Sequence, residues 1–157
     1  YDAITMESLN LRDILSDCLK RFEATIRDKG VQLDVGNLVQ PVMIRGNREM
    51  MERLMANLVA NAFTHCDERK HLTIHLTEVK GGARFAITNT TTLTDASEMP
   101  RLFEAFYKVD PSRSRSEGGH GIGLAIVKSI VERHHGQVTA SLQQGVITFI
   151  VELPNNV

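Results

Sequence analysis

Two runs in which apolar residues alternate, at about 71 to 79 and 83 to 89, meet at Gly81-Gly82. Alternation with period two places one face of a strand on a core, and a glycine pair between two such runs signals a hairpin. An antiparallel pair is thereby fixed in the middle of the chain. A second hairpin is predicted from Gln137 to Leu142 and Val146 to Leu153, with Ile147, Phe149, Val151 and Leu153 on one face. Three long stripes of helical spacing surround the hairpins. Leu11, Ile14, Leu15, Cys18, Leu19, Phe22 and Ile26 recur at three and four, which predicts a helix capped by Asn10 and stopped near Gly30. A second helix is predicted from Asn47 to about Thr64, with Glu49 in its first turn. A third is predicted from about Ile122 to His135, with Gly136 ending it. Val31, Leu33 and Val35, then Val42 and Ile44, suggest short strands, and Ser97 to Phe106 a short helix with Pro100 in its first turn. Strands joined by hairpins and helices that are few and long favour an α+β fold over βαβ repeats. The expected architecture is a two-layer sandwich, about three long helices on a mixed, mostly antiparallel sheet.

A length of 157 residues suits a single domain, expected to span 1–157. Lys+Arg 18 against Asp+Glu 19 gives a net charge of −1, so no broad basic surface is available and nucleic-acid binding is disfavoured. Cys18 and Cys66 are too few for a disulfide scaffold and match no zinc spacing, which fits a reducing, cytosolic setting. No window approaches the roughly 18 consecutive apolar residues that a membrane span needs. The chain opens with Tyr1 and shows no signal segment, so a fragment of a longer protein is expected.

Two constellations carry chemistry. At about 100° per residue, Asn57 and Asn61 fall about 40° apart on a helix face shared with Met50 and Leu54. Amides on such a face need partners, and two readings stay open: they bond the neighbouring backbone, or they line a cleft and offer carbonyl oxygens to a hard cation such as Mg²⁺. The second constellation is Gly118-Gly119-His120-Gly121-Ile122-Gly123, which leads straight into the third helix. Glycines and a helix N-terminus suit an anion such as phosphate, although neither a dinucleotide fingerprint nor a P-loop is present. A hinge that merely starts a helix is the competing reading. Pro111 to His120 has no apolar residue and is expected to be a mobile loop.

In chain order, MERLMANLVANAFTH at 51–65, ITNTT at 87–91, RLFEAFYKVD at 101–110 and GGHGIGLAIVKSIVERHHG at 118–136 form one set. The set resembles the N, G1, F and G2 boxes of the ATP-binding catalytic domain of sensor histidine kinases, and the resemblance extends over essentially the whole chain. It implies ATP and Mg²⁺ as ligands, with Asn61 holding the metal. Asn57 matches the place where related ATPases carry a water-activating Glu. An amide cannot take a proton from water, so ATP would be kept for transfer to a histidine. His65 matches a position flanking the nucleotide, and Phe106 and Tyr107 fall in the aromatic box. Lys108 and Arg113 flank a loop that the family folds over the triphosphate, and are implied as catalytic with Asn57. Gly119, His120, Gly121, Gly123 and the Leu124 amide match the phosphate-cradling box.

One departure concerns the base. The family has Asp-x-Gly-x-Gly where this chain has Asn89-Thr90-Thr91-Thr92, without glycine. The Asn89 carbonyl can still accept from an adenine amino group, and its amide can also donate, so weaker or less selective base binding is expected. A second departure is the missing phosphoacceptor, since none of His65, His71, His75, His120, His134 and His135 precedes an acidic residue. The implied partners are a separate helical dimerisation domain carrying the substrate histidine and a cognate response regulator, with the membrane reached only through an absent sensor region. The implied location is a cytoplasmic domain of a bacterial sensor. The alternatives are a non-catalytic docking module of the same fold and a protein-serine kinase or ATPase branch of the superfamily. Metal binding at His71 and His75 or at His134 and His135 is disfavoured. A nucleophile pair of His65 and Cys66 is rejected, because adjacent helical residues point about 100° apart.

Overall fold

The computed structural model describes residues 4–36, 38–105 and 123–155. Its elements are β1 (Glu7–Asn10), α1 (Leu11–Arg21), α2 (Glu23–Lys29), β2 (Gln32–Asp34), β3 (Met43–Gly46) and α3 (Arg48–His65). There follow β4 (His71–Val79), β5 (Gly82–Thr90), a 3₁₀ helix (Ala96–Phe103), α4 (Gly123–Arg133), β6 (Gln137–Gln143) and β7 (Val146–Pro154). Among the described residues the strands form a five-stranded sheet of order β2-β4-β5-β7-β6 and a two-stranded sheet of β1 with β3. Only β2 with β4 is parallel; the other pairings are antiparallel. The expected mixed sheet and three long helices are present.

Alternation explains the layering. Register aligns Leu76, Phe85 and Val151 in one row across β4, β5 and β7, and Ile74, Ile87 and Phe149 in the next, all of them buried. The third row is Leu72, Asn89 and Ile147, so one amide interrupts an otherwise apolar face. Burying each large apolar side chain contributes about 1.5–3 kcal/mol. The cover comes from the helices: Leu11, Ile14, Leu15 and Cys18 of α1, Met51, Leu54, Met55, Leu58, Val59, Ala62 and Phe63 of α3, and Val127, Ile130 and Val131 of α4 join the same core. The opposite face is polar. There Thr88 and Thr148 are register partners whose hydroxyls lie 3.1 Å apart, and Arg84 meets Glu152 at 3.2 Å.

Several details depart from expectation. The first helix is two: the chain leaves α1 at Phe22, whose backbone lies at φ −97° and ψ 3° while its ring packs on Phe63 at 5.4 Å. Gly30 then ends α2 in the left-handed conformation, as foreseen. Strand β1 was not foreseen, because four residues are too short to show a period. The expected helix over 97–106 is a 3₁₀ helix ending at Phe103; Pro100 inside it has no N–H to give an α ladder. At the end of α4 the left-handed residue is His135, at φ 61°, and not Gly136. Gly136 answers a different need, since a Cβ there would collide with the Glu152 carbonyl oxygen.

His134 ties two helices together. Its Nδ1 lies 2.7 Å from the Ile130 carbonyl and its Nε2 accepts the Asn47 N–H at 3.0 Å. A carbonyl only accepts and an amide N–H only donates, so the ring is neutral with the proton on Nδ1. Asn47 is the N-cap of α3, its side chain accepting from the Met50 N–H at 2.9 Å. The end of α4 is thereby fixed to the start of α3. Burial is the main cause that lowers the His134 pKa; the Ile130 carbonyl opposes it, and Arg133 and His135 add to it. The folded chain thus keeps the ring neutral where the unfolded chain already binds a proton. This contribution to stability is full above about pH 6.5 and is lost as pH falls from there through the lower folded pKa. We expect His134→Gln to cost roughly 1–2 kcal/mol at pH 7.5 and to flatten the fall in stability toward pH 5.5. Chemical denaturation across this range checks it, and parallel profiles for the two proteins would contradict it.

Candidate functional site

Asn57 and Asn61 stand half-buried on α3 beside its core stripe, one turn apart, and His65 is exposed one turn further on. α3 packs against both β5 and α4. This packing brings Asn57 to the first residue of α4, where its Nδ2 approaches the Gly123 carbonyl at 3.4 Å. The Asn57 amide therefore reaches across to a neighbouring helix. Gly123 is exposed, Leu124 is half-buried, and the first turn of α4 carries no acidic residue. The first N–H groups of a helix lack intrahelical partners and favour negative charge. Phe106, Tyr107, Lys108, Arg113, Gly119, His120 and Gly121, and the loop expected over 111–120, lie outside the described residues.

The most informative atom is on the sheet. Asn89 is 1% exposed, sits one residue from the end of β5 and faces the helices in the row of Leu72 and Ile147. Its Nδ2 donates to the Thr90 carbonyl at 3.0 Å. Among the described residues its Oδ1 is buried without a hydrogen-bond partner. A buried acceptor left unpaired costs about 1–3 kcal/mol, which an apolar residue in the same row would not incur. The arrangement offers one acceptor, fixed in direction, to a donor entering beside α3.

Sequence reasoning missed the groups that frame this amide. The Thr90 carbonyl also accepts the Asp67 N–H at 3.0 Å, and Thr91, itself buried, donates its N–H to the Gly145 carbonyl at 2.9 Å. Asp67 is gripped by Arg69: backbone N–H to Oδ1 at 3.0 Å, Nε to Oδ2 at 2.9 Å and Nη2 to Oδ2 at 2.8 Å. That guanidinium, with help from the Thr90 hydroxyl, holds the Asp67 carboxyl down at about 2. Cys66 next to it is half-buried, and burial pushes its thiol pKa up, as expected of a structural thiol and not a nucleophile. Among the described residues no cluster of three or more His, Cys, Asp or Glu could hold a metal, and no helix is long and apolar enough to cross a membrane.

Comparison with known proteins identifies the family. Residues 46–157 match the family described as histidine kinase-, DNA gyrase B-, and HSP90-like ATPase, and the chain belongs to that family. The sensor histidine kinase CusS of Escherichia coli strain K12 is 37% identical over 147 residues, which are 93% of this chain and 30% of that protein. The probable sensor kinase SilS of Salmonella typhimurium is 39% identical over 154 residues, 98% of this chain and 30% of that one. The chain thus spans about 30% of the length of these relatives. The catalytic domain of histidine kinase ThkA shares the fold with a TM-score of 0.83 at 20% identity, covering 97% of each chain.

If Asn89 is kept polar for a ligand, the fold does not need it. We expect Asn89→Leu to leave the stability of the ligand-free chain unchanged or up to about 1 kcal/mol higher. A loss above about 2 kcal/mol in urea denaturation would show the amide to be structural.

Proposed function

We propose that this chain is the ATP-binding catalytic domain of a two-component sensor histidine kinase, presenting the γ-phosphate of ATP to a histidine on a helical dimerisation domain outside this sequence. Asn89 carries the reading: a buried acceptor at the end of an apolar sheet face, open to a single donor, fits the amino group of adenine. One hydrogen of its Nδ2 is held by the Thr90 carbonyl, which orients the amide with Oδ1 open, so the site takes a 6-amino purine and disfavours the 6-oxo group of guanine. This argues for adenine selectivity, against the relaxed choice expected from the altered box.

The rest of the site follows from the same helices. The N-terminus of α4, with Gly123 and the Leu124 amide, receives phosphate, together with Gly119, His120 and Gly121. Asn61 holds Mg²⁺ through its carbonyl oxygen, and the metal when bound offsets charge on the phosphate oxygens. Asn57 orients at this junction without taking a proton from water, which disfavours an ATPase and keeps the phosphoryl group for transfer. His65, Phe106 and Tyr107 flank the nucleotide, and Lys108 and Arg113 meet the charge of the γ-phosphate. The response regulator receives the phosphate from the substrate histidine, and the domain acts on the cytoplasmic side of the cell.

Titration calorimetry of the chain with ADP and a non-hydrolysable ATP analogue, with and without Mg²⁺ and with GTP as control, tests this. Saturable, Mg²⁺-sensitive adenine-nucleotide binding is expected, with Asn61→Ala removing most of the metal dependence. Absence of binding, or equal affinity for GTP, would overturn the reading in favour of a docking module.

A further inference from the structure

An asparagine that reads a base differs from an aspartate in one respect: it is a pure acceptor only while its amide is held in one of two orientations. Rotated by half a turn, Asn89 would present a donor and would suit a 6-oxo purine instead. What holds it is the Thr90 carbonyl, which takes Nδ2 at 3.0 Å. Glycines usual at this point in the family are absent, and Thr90, Thr91 and Thr92 follow the amide.

The Thr90 carbonyl is itself held from a separate segment. It accepts the Asp67 N–H at 3.0 Å, and the Asp67 carboxylate is locked by the Arg69 fork. The same Nη2 that meets Asp67 Oδ2 also reaches the sheet end: it donates to the Gly145 carbonyl at 2.9 Å and lies 3.3 Å from the Thr91 carbonyl. Gly145 has φ 76°, and a Cβ there would lie 2.8 Å from Nη2, so the β6–β7 turn is kept clear for the arginine. Planar, forked donors make such a brace; a lysine's single ammonium cannot span carboxylate and carbonyls together.

We propose that Arg69 is a positioning residue for base selection: by bracing Asp67 against the Thr91 and Gly145 carbonyls, it keeps the Thr90 carbonyl where it orients the Asn89 amide with Oδ1 open. The inference rests on the adenine-nucleotide reading above. Arg69 touches no base in this account; it decides which face of an amide the base meets.

The test compares ADP with inosine diphosphate, which carries a 6-oxo group in place of the amino group, by calorimetry on the 157-residue chain. The wild-type chain is expected to prefer ADP by at least about tenfold. Arg69→Ala should bring the two affinities within about threefold, by weakening ADP and leaving or improving inosine diphosphate, and Arg69→Lys should restore less than half of the lost preference on a logarithmic scale. Asp67→Asn, which keeps the side chain's shape while removing the charge of the fork, should reproduce the loss, and it serves alone if Arg69→Ala fails to fold. Retained preference in the variants, or equal weakening of both nucleotides, would overturn the proposal. A wild-type chain that binds neither nucleotide would instead overturn the reading on which it rests.

Discussion

The apolar face shared by β4, β5 and β7 has to be kept from water, and almost every other feature follows from how it is covered. α1, α3 and α4 lie on it because their stripes have nowhere else to go, and packing α3 beside α4 sets the start of one against the middle of the other. Asn57 meets Gly123 as a by-product of that packing. The site is thus assembled by core formation, and its polar groups sit at the rim of a hydrophobic contact that would form without them.

Polarity inside this core is sparse, and its two principal cases differ in kind. His134 has both nitrogens satisfied and joins the ends of α4 and α3, which explains a buried imidazole in purely structural terms. Asn89 is half-satisfied, in a row where leucine or isoleucine would pack. A fold tolerates the second case when something other than folding requires it. That contrast separates the candidate site from the scaffold more sharply than burial or charge does.

Much of this was legible in the sequence, where period carried the information. The alternating runs placed β4, β5, β6 and β7 and the inward face of β7, and the stripes placed the three long helices, because burial on one face is written directly into residue spacing. Asn57, Asn61 and Asn89 were found as polar residues in an apolar context or through the family likeness. The break at Phe22 and the strand Glu7–Asn10 were not legible, since each depends on a contact or a partner distant in sequence. Asp67 and Arg69 lie in a short charged run with no period, and only the fold shows that the Gly145 carbonyl, 76 residues on, waits for the guanidinium. The bearing of Asn89 on base choice likewise depends on a neighbour the sequence does not show, the Thr90 carbonyl that takes its Nδ2.

The central claim is that the open oxygen of Asn89 reads the amino group of adenine. A crystal structure of the chain with a non-hydrolysable ATP analogue and Mg²⁺ addresses it most directly. The account predicts the adenine N6 within about 3.2 Å of Asn89 Oδ1, with Nδ2 still on the Thr90 carbonyl. Adenine placed elsewhere, or an Asn89 amide turned to donate to the base, would contradict it.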